Sequence, residues 1–325
     1  DLYALQSQNF ATVTDPCSAR NIATGSATRA ANCAAAGIPA TYDYVYLASL
    51  ELVSGGNPDL SEETSDSLTV GFVFQPESVP GLSVSADYFQ IEIDDVITTP
   101  TAQQILNACY DAKDLNNQFC GLFQRAGAAG AASGEEPYRI IEGSLQQTLL
   151  NYAKRTATGV DLDASYRTSI GELGSLTSRL VYTLMLERNN YLDPTDPNRA
   201  NRVLTELGDP ENAFNLSLDF TRGALTVGYQ LRFLDKMVLN TAEDIYSVQG
   251  RAPENADYGP ISHYPSVVYH DLRAGYDLNE KLNVYAGIEN FTNKMPPYGL
   301  SGTGEGSGIY DVRGRYFFAG VKAKF

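Results

Sequence analysis

The chain has 325 residues, a formal net charge of −16 and a pI near 4.5. Aromatic residues are frequent, with 21 tyrosines and 13 phenylalanines, while charged residues make up 19% of the chain. The acidic balance argues against nucleic acid as a partner, because phosphate binding needs clustered Lys and Arg. No run of about 18 apolar residues is present, which excludes a membrane-spanning helix.

The four cysteines form two close pairs, Cys17 with Cys33 and Cys109 with Cys120, each within a polar, turn-rich stretch. We expect two local disulfides, which in turn imply an oxidising compartment. Metal ligation would need tighter cysteine spacing or nearby histidines, and the only histidines lie far away in sequence. We therefore predict neither a metal site nor a cofactor.

After residue 64, apolar and polar residues alternate in most segments, a period of two that predicts β-strands with two different faces. Leu231 and Phe233, for example, face away from Gln230 and Arg232. The predicted strands are 65–76, 82–97, 152–169, 174–188, 211–222, 223–235, 266–278, 281–292 and 311–325. They are longer than ordinary globular strands and suit a tilted membrane crossing of about 9–11 residues.

Short and long connections alternate between these strands. The short turns lie at 77–81, 170–173, around 222 and at 279–280, and the long loops at 98–151, 189–210, 236–265 and 293–310. Transmembrane barrels have short periplasmic turns and long extracellular loops. We therefore predict an all-β fold, an antiparallel transmembrane β-barrel.

Two regions follow from this pattern. Residues 65–325 form the barrel strands, and residues 1–64, with Cys17 and Cys33, form a further extracellular loop region. Within loop 98–151 we predict a short helix at 101–110 and a strand extension at 138–149. The number of strands is odd, and an open barrel would leave unpaired backbone groups in lipid. We expect the sequence to be the C-terminal part of a longer chain; closure by oligomerisation is the alternative.

Four segments, in order, resemble TonB-dependent outer-membrane receptors. Residues 57–65 (NPDLSEETS) resemble the asparagine, proline, leucine, glutamate, serine pattern of that family, with Glu62 where the family often has proline. Residues 158–163 (TGVDLD) resemble the strand that enters a periplasmic turn, and 287–294 (GIENFTNK) the penultimate strand. Residues 316–325 resemble the terminal strand.

The resemblance implies a barrel of about 22 strands in the bacterial outer membrane and TonB-dependent active uptake of a scarce nutrient, such as a ferric siderophore, cobalamin or a glycan. The plug and the segment that couples to the TonB complex would belong to an N-terminal region that is not in this chain. The resemblance also implies that the barrel-assembly machinery recognises Phe318, Gly320, Ala323 and Phe325. Lipid would surround the wall.

Substrate capture would fall to the long loops. Candidate contacts that combine stacking surfaces with hydrogen-bond donors are Tyr246, Arg251, Tyr258, His263 and Tyr264. The alternative is that these side chains only order loop 236–265. We expect no enzyme, because His270 and Asp271 are adjacent in a strand and point to opposite faces. A passive outer-membrane porin is the runner-up function, followed by a barrel enzyme and a secreted β-sandwich adhesin.

Overall fold

The computed structural model describes residues 5–238, 263–297 and 307–324. The strands, in chain order, are β1 (Ser7–Ala11), β2 (Leu50–Gly55), β3 (Thr64–Phe74), β4 (Leu82–Thr98), β5 (Leu145–Thr148), β6 (Leu150–Ser169), β7 (Ser175–Tyr191), β8 (Asn201–Arg202), β9 (Asn212–Arg222), β10 (Leu225–Leu234), β11 (Val267–Asn279), β12 (Leu282–Glu289) and β13 (Tyr316–Ala323). The helices are α1 (Arg29–Ala35) and α2 (Ala102–Asp111), with short 3-10 helices at Gln118–Leu122, Gly171–Leu173 and Ser307–Ile309.

The larger sheet has ten strands in the order β13-β12-β11-β10-β9-β7-β6-β4-β3, with the short β8 pairing beside β7. The pairs whose register is described are antiparallel. Each of the nine predicted strands has a counterpart in this sheet. The predicted antiparallel β-fold is therefore confirmed, because alternation of apolar and polar residues directly reflects a strand with two different environments.

The last strand begins later than predicted, at Tyr316 rather than at 311. The residues before it form a turn held by side chains, in which the Arg315 N–H donates to Asn293 Oδ1 at 3.0 Å and the Arg313 N–H to Asp311 Oδ1 at 3.0 Å. Asn293 itself has a positive φ of 55°, a conformation that asparagine tolerates better than most residues. The GIENFTNK segment thus packs against the residues that lead into β13.

The two faces of the larger sheet differ in character. On one face, Gln230 of β10 lies opposite Ser217 of β9 and Asp271 of β11; we call this the polar face. On the other, Leu231 lies opposite Leu216. The apolar face continues in Leu272, Ile288 and Phe317, and Phe317 is 65% exposed. Such a broad exposed apolar face is unusual for a soluble protein and typical of a barrel wall in lipid.

The chain divides into two compact units. The first contains Asp1–Ser65, Ile93–Arg155 and Asn190–Ala200, and the second contains Asp66–Glu92, Thr156–Asn189 and Asn201–Phe325. The segments 1–64 and 98–151, which the sequence separates, both lie wholly within the first unit. Among the described residues no helix is both long enough and apolar enough to cross a membrane.

The first unit has its own small sheet, in the order β1-β2-β5, and β2 and β5 are parallel. The predicted strand extension at 138–149 corresponds to β5, which pairs with β2. The predicted helix at 101–110 is α2, and Thr101 and Gln104 form a capping box at its start, as such residues do at helix N-termini. Both predicted disulfides, Cys17–Cys33 and Cys109–Cys120, are present.

The short turn before β4 contains a glycine that packs closely against the neighbouring strand β6. Gly81 has a φ of 88°, and a Cβ there would collide with the carbonyl oxygen of Arg167. We expect Gly81→Ala to cost about 1–3 kcal/mol, because it adds a backbone clash to an unfavourable φ. Gly223 is the matched control, with a φ of 56° but no heavy atom within 4 Å of a Cβ. Denaturant unfolding in detergent should show the larger loss for Gly81→Ala; equal losses would contradict the clash.

Candidate functional site

The candidate contacts of loop 236–265 fall into two groups. Tyr246, Arg251 and Tyr258 lie outside the described residues. His263 is exposed, whereas Tyr264 is half-buried and packs against the apolar cluster that includes Met237, Val267 and Tyr310. The Tyr264 backbone also exchanges hydrogen bonds with Met237, at 2.7 and 3.2 Å. Tyr264 therefore has a packing role, which is compatible with the alternative that these residues order the loop.

Next to this cluster the polar face carries a cavity of about 460 Å³, which we call the polar cleft. Its polar lining residues are Gln230, Arg232, Tyr269, Asp271, Glu289, Tyr310, Asp311 and Arg313. The strand register brings them together, since Gln230 lies opposite Asp271 and Arg232 opposite Tyr269. Residues 308–313, after the last long loop, form the remaining wall. The volume is within the range of small-molecule sites, about 300–1,000 Å³.

Most charges at the polar cleft are already paired. Arg313 donates from Nη2 to Glu289 Oε2 at 3.0 Å and also lies 3.7 Å from Asp311. Asp271 Oδ1 accepts a hydrogen bond of 2.6 Å from the backbone N–H of Asn290. These contacts shape the walls, and the groups involved are less available to a ligand.

Arg232 differs from these residues. Its guanidinium carbon lies 4.6 Å from the centre of the Tyr269 ring, a cation–π contact that does not consume its N–H donors. Within residues 5–238, 263–297 and 307–324, no carboxylate pairs with Arg232. The Tyr269 hydroxyl meanwhile accepts from the Asp311 N–H at 3.0 Å, which fixes the ring. A positioned guanidinium with free donors is suited to an anionic or acceptor-rich ligand.

Tyr310 is a second uncommitted group of the polar cleft. It is 4% exposed, and its hydroxyl has no hydrogen-bond partner in the described part of the chain. Burial, aided by nearby Tyr269 and Tyr264, raises the pKa of Tyr310 to about 12. The phenol therefore stays protonated at physiological pH and can donate a hydrogen bond. Buried polar groups are normally paired, so this hydroxyl is a candidate donor to a ligand group in the polar cleft.

The described residues lack the side-chain arrangements that two other chemistries require. They contain no group of three or more His, Cys, Asp or Glu side chains arranged to hold a metal ion. His270 lies opposite Leu231 on the apolar face, and its Nδ1 is 2.7 Å from the Tyr229 hydroxyl. Asp271 lies on the polar face opposite Gln230. The two adjacent residues therefore do not form a catalytic pair.

The comparison with protein families gives a match over most of the chain. Residues 27–291 match the family model described as TonB dependent receptor-like, beta-barrel. The chain belongs to this family. The predicted resemblance is thereby confirmed, and the family consists of outer-membrane transport receptors rather than enzymes. No curated protein sequence matches the chain.

Solved structures agree with this receptor fold. The siderophore receptor PirA of Acinetobacter baumannii is 15% identical, with a TM-score of 0.51 over 86% of this chain and 34% of PirA. A variant of the ferric enterobactin receptor PfeA of Pseudomonas aeruginosa is 17% identical, with a TM-score of 0.53 over 86% and 34%. The FrpB iron transporter of Neisseria meningitidis is 17% identical, with a TM-score of 0.50 over 82% and 32%.

The chain thus spans about a third of the length of these receptors (34%, 34% and 32%). At such low identity the similarity shows the fold alone, an antiparallel transmembrane β-barrel. Outer-membrane transporters of this kind have about 22 strands, and the strand path of this chain fits the C-terminal portion of such a barrel. In this fold the apolar face contacts lipid and the polar face lines the lumen.

Proposed function

We propose that this chain forms part of the wall and surface loops of an outer-membrane receptor for TonB-dependent uptake of a scarce nutrient. The family match over residues 27–291 carries the proposal. It favours an active receptor over a passive porin, which shares the alternating strands but not the family. The TonB complex, reached through an N-terminal region, and outer-membrane lipid are the partners that this function requires.

The orientation of the chain is part of the same proposal. The long connections and both disulfides belong to the extracellular side, where an oxidising environment preserves them. The polar cleft would then lie where substrate arrives. His263 is an exposed candidate contact, and Tyr246, Arg251 and Tyr258 stay candidates from the sequence.

The end of the chain would direct barrel assembly. Phe318, Gly320, Ala323 and Phe325 are the proposed recognition residues, and Phe325 lies outside the described ranges. Phe318 lies opposite Gly287 on β12, and Tyr285 lies opposite Gly320. The Tyr285 and Phe318 rings are 6.3 Å apart. Each aromatic ring thus covers a glycine of the neighbouring strand, an arrangement that helps fix strand register.

The polar cleft supports one class of nutrient. Arg232 offers N–H donors that no carboxylate of the described residues engages, Tyr310 a protonated phenol and Gln230 a neutral amide. An anionic, oxygen-rich ligand matches this set. Among ferric siderophores, cobalamin and glycans, a ferric siderophore has this character, and the three solved receptors are named for a siderophore, ferric enterobactin and iron.

Uptake by a strain that produces the Arg232→Gln variant tests the proposal. We expect the apparent affinity for the transported ferric siderophore to fall about ten- to hundredfold, since a charge-assisted hydrogen bond contributes about 1.5–3 kcal/mol. Arg179→Gln is the matched control, because Arg179 lies on the same face but is paired with Asp163 at 2.5 Å. A proton uncoupler should abolish uptake by both proteins.

Three results would count against parts of this proposal. Uptake that persists in the uncoupler would support the passive porin. Equal losses in the Arg232 and Arg179 variants would show that the polar cleft has no special role. Unchanged uptake in the Arg232 variant, together with full sensitivity to the uncoupler, would show that the polar cleft does not bind the substrate. The proposal of an active receptor would still hold.

A further inference from the structure

The first unit contains a second cavity, of about 540 Å³. Its polar lining residues include Gln6, Asn57, Asp59, Gln118, Gln146 and Thr148, and we call it the amide cleft. The ends of β2 and β5 form one wall, since Gly55 lies opposite Thr148. Residues 57–59 and the 3-10 helix Gln118–Leu122 form the others. The volume suits a ligand of drug size.

The walls of the amide cleft are held in place before any ligand arrives. Asn57 donates to the Leu149 carbonyl at 2.9 Å and accepts from the Asp59 N–H at 2.9 Å. The 3-10 helix is fixed by the Cys109–Cys120 disulfide and by the Asn117 side chain, which accepts from the Phe119 and Cys120 N–H groups at 3.1 and 3.3 Å. A preformed site saves the entropy of ordering on binding.

The chemistry of the amide cleft differs from that of the polar cleft. Among its described lining residues Asp59 is the one ionisable group, and the others that bear hydrogen-bonding side chains are amides and hydroxyls. A site without Lys, Arg or His gives an anion no local counter-charge. The site therefore disfavours an anionic ligand, and its predominance of neutral donors and acceptors suits an uncharged one.

Several polar groups of the amide cleft are free for such a ligand. The side chains of Gln6, Asp59 and Gln146 make no hydrogen bond to another residue within the described ranges. Amides and a carboxylate together donate to and accept from paired hydroxyl groups. Val53, Leu122 and Leu150 add apolar surface beside them, against which the C–H face of a sugar ring can pack.

We propose that the amide cleft binds a neutral saccharide. The site lies in the first unit and does not depend on the transport role of the polar cleft. In this site the side-chain amides of Gln6 and Gln146 and the carboxylate of Asp59 form hydrogen bonds with sugar hydroxyls.

Two glycines of the first unit allow a matched test. A Cβ at Gly121, which lines the amide cleft, meets no heavy atom within 4 Å, and neither does a Cβ at Gly127, which is not among the lining residues. Neither glycine has a positive φ, so both positions accept a Cβ without backbone strain. Gly121→Phe adds a ring at the lining of the amide cleft, while Gly127→Phe adds the same ring elsewhere in the same unit.

The intact protein in detergent is titrated with maltotriose, cellotriose, trigalacturonic acid and the neutral peptide N-acetyl-trialanine amide, and binding is followed by calorimetry and saturation-transfer NMR. We expect at least one neutral trisaccharide to bind and trigalacturonic acid not to bind. Gly121→Phe should weaken trisaccharide binding more than about tenfold, Gln146→Ala about three- to tenfold through one lost hydrogen bond, and Gly127→Phe not at all.

The contrary outcomes are distinct. Absence of trisaccharide binding, equal binding by the two phenylalanine variants, or binding of the peptide in place of the sugars would each overturn the saccharide site. Arg232→Gln should retain trisaccharide binding, because that residue lies in the polar cleft of the other unit. Loss of uptake in Arg232→Gln with intact trisaccharide binding therefore separates the two proposals.

Discussion

Replacing Arg125 with alanine is expected to destabilise the first unit by about 3–5 kcal/mol, the usual cost of removing one partner of a buried ion pair. Arg125 donates from Nη1 and Nη2 to the two carboxylate oxygens of Asp15, each at 2.7 Å. The Asp15 side chain is fully buried and that of Arg125 is 11% exposed. Without Arg125, the Asp15 carboxylate would stay in the core without its counter-charge.

The surroundings of Arg125 increase this effect. Its Nε donates to the Tyr110 hydroxyl and its Nη1 to the Tyr138 carbonyl, both at 2.7 Å. Burial lowers the pKa of Arg125, but the hydrogen bonds and charge of Asp15 outweigh burial and leave that pKa above its ordinary value. The guanidinium is therefore charged, and it joins segments that are 110 residues apart in sequence.

Hydrogen exchange of the first unit's amides measures the loss. Arg20→Ala is the control, because Arg20 also binds a carboxylate, Asp43, with both oxygens but is 53% exposed; we expect little change in exchange there. Combining Arg125→Met with Asp15→Leu should recover part of the loss, since no charge is then left buried. Equal protection in the Arg125 and Arg20 variants would contradict the prediction.

The strands of the larger sheet were predictable because their signal is local. In β10, Leu231 and Phe233 alternate with Gln230 and Arg232, and the alternation follows from the two environments of the wall. The observed strand, Leu225–Leu234, lies within the predicted segment 223–235. Each strand in a barrel repeats this pattern, so the sequence carries the same information many times.

The first unit was less predictable because its contacts are not local. The sequence showed no periodic signal for α1, β1 or β2, which are short and lie in a region interpreted as loop. They are held by the core around Ile105 and Leu145, by two disulfides and by the Arg125–Asp15 pair. Pairings across so many residues depend on the folded chain, and neither composition nor spacing reveals them.

The candidate site was partly predictable from the sequence. The sequence put Arg232 on the polar face of its strand, and the fold adds that no described carboxylate pairs with it. The position of Tyr310 could not be predicted, because residues 308–313 meet β10 and β11 only through tertiary contacts. An arginine on the polar face of a wall strand near a long loop is the signal that sequence analysis could have used.

Removing the Cys17–Cys33 disulfide by changing both residues to alanine is expected to destabilise the first unit by about 3 kcal/mol, because the bond closes a loop of 16 residues in the unfolded chain. Both cysteines are 1% exposed and lie in the core of the unit. The substitution therefore also removes packing, and the same exchange experiment should show faster opening around α1.

Reduction of the native protein separates the two disulfides. Cys120 is half-buried, whereas Cys17 and Cys33 are buried, and a reductant must reach a sulfur to react. Under mild dithiothreitol, alkylation followed by mass spectrometry should label Cys109 and Cys120 first, while Cys17 and Cys33 react only as the unit unfolds. In the Arg125→Ala variant Cys17 and Cys33 should become reactive sooner, because the core that buries them then opens more often. Identical labelling rates for both pairs would show that burial in this core does not protect the Cys17–Cys33 bond.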